Sequence, residues 1–346
     1  MPGVVTFDTD RMFAPLLGRR GIGLAVSGGA DSLALMLLVA EWASHHPTPP
    51  IFVYSVDHGL RPEAADEARM VATEATRLGF AARALRWDGE KPDTGVQAAA
   101  RAARYRLMAA AMAADGADIL LTAHHLNDQA ETVLMRLAHG SGIEGLRGMD
   151  RLGFAEGCLL FRPLLDVDPA DLRAIVDRAG LIPADDPSNR DSDYERVRWR
   201  QELPQLAALG LDGRRLATFA LRMNELDDLV TIDTDTAQVR LLRLPSASEA
   251  ALPHADFSAL PRPVAVRLIG RVLGTIGGDR KPHALGALET LCDRLGPVAA
   301  LKRTSLHGCL IASDGTTITI RRETGRRGAA VMPEATEAVG DNVTRN

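Results

Sequence analysis

The segment Ser27-Gly28-Gly29-Ala30-Asp31-Ser32 constrains the fold of this chain more than any other part of the sequence. It follows the apolar run 22–26 and precedes a long apolar segment with helical periodicity, so a strand, a tight turn and a helix are predicted. Adjacent glycines let the backbone turn sharply and approach a ligand closely, and the first N–H groups of the helix favour an anion. The segment therefore predicts a phosphate-binding loop.

The loop differs from the other common phosphate loop, which ends in Gly-Lys-Ser or Gly-Lys-Thr, because the chain contains no such sequence. Asp31 takes the place of that lysine, and a carboxylate at this position suits Mg²⁺. The alternative interpretation is an ordinary glycine turn with a serine or aspartate helix cap.

Further motifs follow the loop in a fixed order, and their spacing makes the set specific. They are Asp57-His58-Gly59-Leu60-Arg61, Arg101-Ala102-Ala103-Arg104-Tyr105, Ala123-His124-His125-Leu126-Asn127-Asp128-Gln129-Ala130-Glu131-Thr132, Gly140-Ser141-Gly142 with Gly145-Leu146 and Gly148-Met149, Arg162-Pro163-Leu164-Leu165, and Asp186-Pro187-Ser188-Asn189. Together with the loop, they resemble the motifs of the tRNA(Ile)-lysidine synthetases, which are N-type ATP pyrophosphatases or PP-loop enzymes. The motif-bearing resemblance covers about residues 21–206, and residues 304–323 resemble the small C-terminal domain of that family.

The resemblance implies a ligase that attaches L-lysine to C2 of the wobble cytidine, position 34, of tRNA(Ile) with the CAU anticodon. In that reaction ATP first adenylates the cytidine with release of pyrophosphate, and lysine then displaces AMP. The product, lysidine, changes codon reading from AUG to AUA. The implied cofactors are ATP and Mg²⁺, and the implied partners are this tRNA and lysine.

The resemblance also assigns the nucleotide site. The expected ATP-binding residues are those of the loop together with a group that follows later strands, namely Ser27, Gly28, Gly29, Ala30, Asp31, Ser32, Asp57, His58 and His125.

Arg101 and Arg104 lie three residues apart and therefore share a helix face, where planar guanidiniums could hold a phosphate or the adenylated intermediate. The alternative is a solvated face on an alanine-rich helix. Together with Asp31, Asp128 and Glu131, these arginines are the predicted catalytic residues.

Asp128 and Glu131 have the same spacing, near the start of a predicted helix. They are candidates to hold the lysine ammonium, and Asp128 is, like Asp31, a candidate Mg²⁺ ligand; helix capping is the alternative. The neighbouring His124 and His125 lack a cysteine partner or a His-Glu-x-x-His pattern, so no zinc site is expected.

Binding of tRNA is not favoured by the net charge of −5, so local basic patches must carry it. Arg196, Arg198 and Arg200 follow the nucleotide motifs and lie among aromatic residues, which is typical of a nucleic-acid surface. Further candidates lie in the C-terminal part, namely Arg262, Arg267, Arg271, Arg280, Lys281, Lys302 and Arg303.

Apolar runs alternate with helical patterns up to about Pro204, which predicts an α/β fold with a parallel sheet. The expected organisation is a catalytic domain over 1–206, a helical connector over 207–245, a small α+β tRNA-binding domain over 246–325 and a disordered tail over 326–346. Residues 209–230 are predicted as one helix, 246–253 as a polar hinge, and 304–320 as a hairpin around Asp314-Gly315.

Three positions depart from the family pattern: Asn127 replaces an aspartate, Val197 an asparagine and His139 a basic residue. One alternative function is a PP-loop tRNA thiolase, although Cys158, Cys292 and Cys309 are poorly spaced for a catalytic cysteine pair or a disulfide. Another alternative is a noncatalytic nucleotide-binding module. We expect a cytoplasmic protein without membrane spans; its oligomeric state is open, a homodimer being one alternative.

Overall fold

The computed structural model describes residues 6–57, 59, 64–88, 95–185, 191–278, 285–296 and 300–323. They belong to two compact units, Met1–Asp227 and Asp228–Asn346. The division falls inside a long helix, Gly213–Leu241, within the segment that the sequence predicted as a connector. The predicted tail, His58 and the segment 186–189 lie outside the described residues.

The first unit contains a single described sheet of six strands. They are β1 (Ile22–Ala25), β2 (Ile51–Asp57), β3 (Ala81–Arg86), β4 (Ile119–Leu121), β5 (Leu152–Ala155) and β6 (Cys158–Phe161). The order is β3-β2-β1-β4-β6-β5, and neighbours are parallel except for the antiparallel pair β5 and β6. The predicted α/β fold with a mostly parallel sheet is confirmed.

Helices cover both faces of this sheet, as a mainly parallel sheet requires. Leu24, Trp42 and Phe161 belong to the core on one face, whereas Tyr105 and Leu160 belong to the core on the other. Successive residues of β6 thus enter opposite cores, because strand side chains alternate. The helices are α1 (Thr9–Phe13), α2 (Ala30–His45), α3 (Ala64–Arg77), α4 (Val96–Asp115), α5 (Leu126–Ala138), α6 (Ile143–Leu146), α7 (Pro169–Arg178), α8 (Glu195–Ala208) and α9 (Gly213–Leu241).

The strand order creates a switch point between β1 and β4. The chain runs outward from β1 to β2 and β3 and then returns to β4 on the other side of β1. Ligands of open α/β sheets bind outside the carboxyl ends of the strands at such a point. The segments 26–29, after β1, and 122–125, after β4, therefore converge on one crevice.

The second unit contains an antiparallel sheet of five strands, β7 (Arg243–Ser246), β8 (Glu249–Pro253), β9 (Leu301–Leu306), β10 (Cys309–Ser313) and β11 (Thr317–Arg322), in the order β7-β8-β11-β10-β9. Its helices are α10 (His254–Ser258), α11 (Arg262–Gly277) and α12 (Leu285–Arg294). Leu252, Ile269 and Ile320 are fully buried in the core that joins the sheet to α11. The predicted small α+β unit is confirmed.

Several local predictions were wrong. Residues 246–253 form the end of β7 and all of β8 instead of a hinge, because Ala250 and Leu252 alternate with half-buried neighbours and enter the core. The helix predicted over residues 209–230 is α9, which begins at Gly213 and ends at Leu241. Strand β5 was not predicted. The hairpin around Asp314-Gly315 is confirmed by the pairing of β10 with β11.

None of the described helices combines the length and the apolar character that a membrane span needs.

Candidate active site

The loop after β1 is held by the side chain of Ser32 at the start of α2. The Ser32 hydroxyl donates to the Gly29 carbonyl at 2.9 Å and accepts from the Ser27 amide at 3.2 Å. The Ser27 and Ser32 hydroxyls are 3.3 Å apart. Gly29 is the N-cap, and Ala30 and Asp31 open the helix, where unpaired backbone N–H groups favour an anion.

Gly28 supplies the turn of this loop, with a φ of +91° that side chains rarely adopt. Its carbonyl accepts from the amide of Ala184 at 3.0 Å, which ties the loop to the segment after α7. A Cβ atom at Gly28 would lie 3.4 Å from Met70 and 3.5 Å from Ala184. Backbone strain, more than lack of space, therefore requires glycine here.

His125 caps the helix that follows β4. Its Nδ1 atom accepts from the Asn127 amide at 3.2 Å, and its own amide donates to Oδ2 of Asp128 at 3.0 Å. This reciprocal capping fixes the imidazole, and because Nδ1 is an acceptor, the proton of the neutral ring is on Nε2.

Asp31 and Asp128 approach the same imidazole nitrogen from two sides. Nε2 of His125 lies 3.5 Å from Oδ2 of Asp31 and 3.5 Å from Oδ2 of Asp128. Burial opposes a charge on His125, but the hydrogen bond with Asp31 and the negative charges of Asp128, Asp31 and Glu131 outweigh it and raise its pKa. The imidazole thus joins the phosphate loop to α5, and the two predicted metal ligands lie close together.

Glu131 is fully buried and both of its oxygens are occupied by arginines of α8. Arg196 donates to Oε2 at 2.7 Å and Arg200 to Oε1 at 2.7 Å. Arg196 also reaches Oδ1 of Asp128 at 3.1 Å. Burial raises the pKa of Asp128, but the positive charges of His125 and Arg196 outweigh it and hold that pKa below the usual value.

The predicted tRNA-binding arginines therefore have different surroundings. Arg196 and Arg200 bind the carboxylates of α5, and the hydrogen bond to Glu131 raises the pKa of Arg200 against the effect of burial. Arg198 is exposed, and its guanidinium donates to the carbonyls of Ser192 and Asp193, both at 2.9 Å. The spacing of the arginines in the sequence could not show these pairings, because it does not reveal that α8 packs against α5.

Arg101 and Arg104 lie on α4, and their guanidinium carbons are 5.2 Å and 5.4 Å from the ring centre of Tyr105. Burial lowers the pKa of Arg104, and the charge of Arg101 lowers it further, although Tyr105 opposes both effects. Neither arginine forms an ion pair with a carboxylate in the part of the chain that the structure describes.

His124 lies between this arginine group and Asp128. Burial lowers its pKa to about 3, and the charges of Arg162, Arg196 and Arg101 act in the same direction against Asp128. Its Nδ1 atom is 2.8 Å from the hydroxyl of Thr122. His124 is therefore a neutral hydrogen-bonding group at the working pH of an enzyme.

Asp57 ends β2 at the same edge of the sheet. Its Oδ1 atom accepts from the Gly59 amide at 2.7 Å, so the carboxylate stabilises the turn that follows the strand. His58, which the sequence predicts to bind ATP, lies outside the described residues.

The glycine-rich segment 140–149 is held against α5 by residues that the sequence analysis did not single out. Arg136 donates to the carbonyls of Gly145 and Gly148 at 2.7 and 2.6 Å. Gln129 accepts from the Met149 amide at 2.7 Å and donates to its carbonyl at 3.0 Å. Gln129 belongs to the histidine-containing motif 123–132 and lies one helical turn after His125. Its place in that motif is the sequence signal that could have identified it as a functional residue.

Cys158, Cys292 and Cys309 are all buried. Within the described ranges, no three histidine, cysteine or acidic side chains are grouped as a metal site requires.

Comparisons with known proteins agree with this geometry. A family model described as a PP-loop domain matches residues 5–207. The tRNA(Ile)-lysidine synthase of Bradyrhizobium diazoefficiens is 44% identical, over 93% of this chain and 97% of that protein. The tRNA(Ile)-lysidine synthase of Rhodopseudomonas palustris is 45% identical, over 93% of this chain and 96% of that protein.

Among solved structures, the U34-tRNA thiolase NcsA from Methanococcus maripaludis with its 4Fe-4S cluster has a TM-score of 0.53 at 16% identity. The match covers 63% of this chain and 79% of that chain, and it supports the fold alone. Because the full-length matches at 44 and 45% identity coincide with an intact phosphate loop and its partners across the switch point, the chain belongs to the PP-loop family and, within it, to the tRNA(Ile)-lysidine synthases.

Proposed function

We propose that this chain uses ATP to attach L-lysine to C2 of the cytidine at position 34 of tRNA(Ile) with the CAU anticodon. The product lysidine changes codon reading from AUG to AUA. The observation that carries the proposal is the convergence of the phosphate loop and α5 on one histidine, where Asp31 and Asp128 meet His125.

In the first half-reaction the O2 atom of cytidine attacks the α-phosphorus of ATP, and the bond to pyrophosphate breaks. Negative charge develops on the phosphate oxygens, so groups that donate hydrogen bonds to oxygen accelerate this step. We assign binding of the departing pyrophosphate to the loop 27–32 and the first N–H groups of α2, because helix N-termini favour anions. Arg101 and Arg104 supply further positive charge.

The donor set of Asp31 and Asp128 fits Mg²⁺, which in phosphoryl-transfer sites is bound by one or two carboxylates together with substrate phosphates. The side chain of Asp31 is 40% exposed, so a cation in the crevice can reach its oxygens. When bound, the ion would neutralise charge on the phosphate oxygens.

In the second half-reaction the lysine amine attacks C2 and AMP leaves with the former O2 oxygen. Asp128 and Glu131 are our candidates for binding the ammonium before it loses a proton. In the free protein Arg196 and Arg200 occupy these carboxylates, so binding of lysine requires the guanidiniums to share or release them.

The thiolase alternative finds less support. Such chemistry needs an accessible thiolate, whereas burial raises the pKa of the Cys158 thiol and raises that of Cys292 to about 12.

The proposal is tested by incubating the protein with ATP, labelled lysine and tRNA that contains the CAU isoacceptor. We expect ATP-dependent label in the tRNA and release of pyrophosphate. Label that appears without ATP, or pyrophosphate release with no label, would overturn the lysine assignment. We further propose that the reaction takes place in the cytoplasm.

A further inference from the structure

Two buried polar atoms near Arg101 have no hydrogen-bond partner in the described part of the chain. They are the hydroxyl of Tyr105 and the Nε atom of Arg162. A third such atom, Oδ1 of Asp118, lies before β4 at the opposite edge of the sheet, and the other oxygen of that carboxylate pairs with Arg20. Buried polar groups are nearly always hydrogen-bonded. Two buried polar atoms in the same region without a hydrogen bond therefore need an explanation.

Tyr105 and Arg162 share their surroundings. Arg101 and Arg104 flank the Tyr105 ring, and the side chain itself is 2% exposed. Arg162 directly follows β6 at the carboxyl end of the sheet, and its Nη1 atom donates to the Asp150 carbonyl at 2.7 Å. Burial lowers the pKa of Arg162, Tyr105 raises it, and the like charge of Arg101 lowers it further.

Arg101 and Arg104 thus lie beside the Tyr105 ring, the charge of Arg101 also acts on Arg162, and none of the three guanidiniums forms an ion pair with a carboxylate among the described residues. Arg147, which is also partly buried, is in contrast paired with Asp150 and Asp227, each at 2.6 Å. Arg101 is exposed, but Arg104 and Arg162 are partly buried, and holding partly buried like charges close together is costly. Where a fold retains such a group beside a ligand crevice, binding of an anion recovers the cost.

We propose that Tyr105 and Arg162 complete, with Arg101 and Arg104, a binding site for a phosphate group. The Tyr105 hydroxyl and the Nε–H of Arg162 donate the two hydrogen bonds that they lack in the free protein. The phosphate belongs either to the nucleotide, at its α-position, or to the tRNA backbone, and this choice rests on the proposed function. Neither residue was assigned a role from the sequence, although both stand in its motifs.

The Tyr105→Phe substitution tests the proposal because its expected effects on protein stability and on ligand affinity differ. Removing a buried hydroxyl that has no partner among the described residues leaves stability unchanged or increases it, whereas removing a donor to a phosphate weakens binding about tenfold. We therefore expect an unchanged or higher Tm together with weaker binding of ATP or tRNA.

Tyr54→Phe is the matched control, because Tyr54 lies in the same core but its hydroxyl donates to Asp115 at 3.0 Å. We expect this variant to have a lower Tm and unchanged ligand affinities. Arg162→Gln is compared in the same way with Arg106→Gln, a change of an exposed arginine on the outer side of α4.

Binding is measured separately with ATP alone, with tRNA alone, and with inorganic phosphate as the simplest probe. If only the affinity for ATP falls, the site binds a phosphate of the nucleotide. If only the affinity for tRNA falls, the site binds a phosphate of the tRNA backbone. Unchanged affinity for all three probes in both Tyr105→Phe and Arg162→Gln would overturn the inference. If wild-type protein binds ATP and tRNA without transferring lysine, the proposed function fails, but these binding measurements still decide the site.

Discussion

The Nε atom of Arg200 lies 2.7 Å from Oε1 of Glu131, although the two residues are 69 positions apart in the sequence. Arg196 occupies the other oxygen of the same carboxylate, one turn earlier on α8. A fully buried anion is thus neutralised by two arginines that are 35 and 42% exposed. This arrangement attaches α8 to α5 directly beside His125.

Glu131→Gln should destabilise the protein. Removing one partner of a buried ion pair costs about 3–5 kcal/mol, and the partial exposure of both arginines reduces this to about 2 kcal/mol. Denaturant unfolding at neutral pH measures the difference. Arg198→Gln, on the same helix but without a carboxylate partner among the described residues, should change stability by less than about 0.5 kcal/mol. Equal stabilities of Glu131→Gln and wild type would show that the pairing contributes nothing.

Asp128→Asn should raise the KM for lysine with little change in the KM for ATP, because the substitution removes a charge that binds the ammonium in ground and transition state alike. The corresponding change in the first turn of α7, Asp171→Asn, serves as the control. Initial rates at varied lysine and varied ATP separate the two roles. A higher KM for ATP with unaltered lysine dependence would instead assign Asp128 to the magnesium ion.

Asp31→Asn should abolish pyrophosphate release while the Tm changes by only a few degrees. The substitution preserves size and removes a carboxylate that fits Mg²⁺, and its partly exposed side chain contributes little to packing. Asp10→Asn, on the exposed surface of α1, is the control. A variant that keeps the wild-type rate with the same magnesium dependence would exclude Asp31 as a metal ligand.

The sequence predicted the fold of the first unit well because its signals are local. Helix α7 is bounded by such local signals: the Asp168 carboxylate accepts from the Ala170 amide at 2.9 Å, Pro169 begins the helix and Gly180 follows its end. Strand β5 escaped prediction because Leu152 and Phe154 are exposed at the sheet edge and leave no core pattern.

The candidate site was predictable in its residue types but not in its pairings. Strand order brings Asp31 and His125 together, and the motifs indicated both residues. The binding of Glu131 by Arg196 and Arg200 depends on a contact between α5 and α8 that no periodicity encodes. The basic segment therefore suggested a nucleic-acid surface, whereas two of its three arginines face carboxylates of the site.

The three thiols should be unreactive toward a thiol reagent in the native protein. Thiolate is the reactive form, and burial raises the pKa of Cys292 from its ordinary value of 9.0 to about 12, so little thiolate exists at pH 8. Reaction with Ellman's reagent at pH 8 should be slow in buffer and complete in guanidinium chloride. Joint replacement of Cys158, Cys292 and Cys309 by alanine should retain lysine transfer, and its loss in a folded variant would favour the thiolase alternative.

Salt dependence of tRNA binding should identify the phosphate contacts of the second unit. Arg262 pairs with Glu289 and Asp293 at 3.0 and 3.2 Å, and Arg271 pairs with Asp235. Arg280 and Lys281 lie outside the described residues. Lys302 and Arg303, in contrast, are exposed on the edge strand β9 and form no ion pair with a described residue.

Each phosphate contact releases about 0.9 counterion from a duplex, so replacing both Lys302 and Arg303 by glutamine should reduce the slope of log K against log salt concentration by about two. Arg262→Gln should leave the slope nearly unchanged, because its charge is already compensated by two carboxylates. Filter binding of tRNA between about 50 and 200 mM salt covers the range in which the effect is large. If the double variant keeps the wild-type slope, this face of β9 does not contact tRNA, and the charge that binds phosphates must be sought in the first unit, beginning with the exposed Arg198.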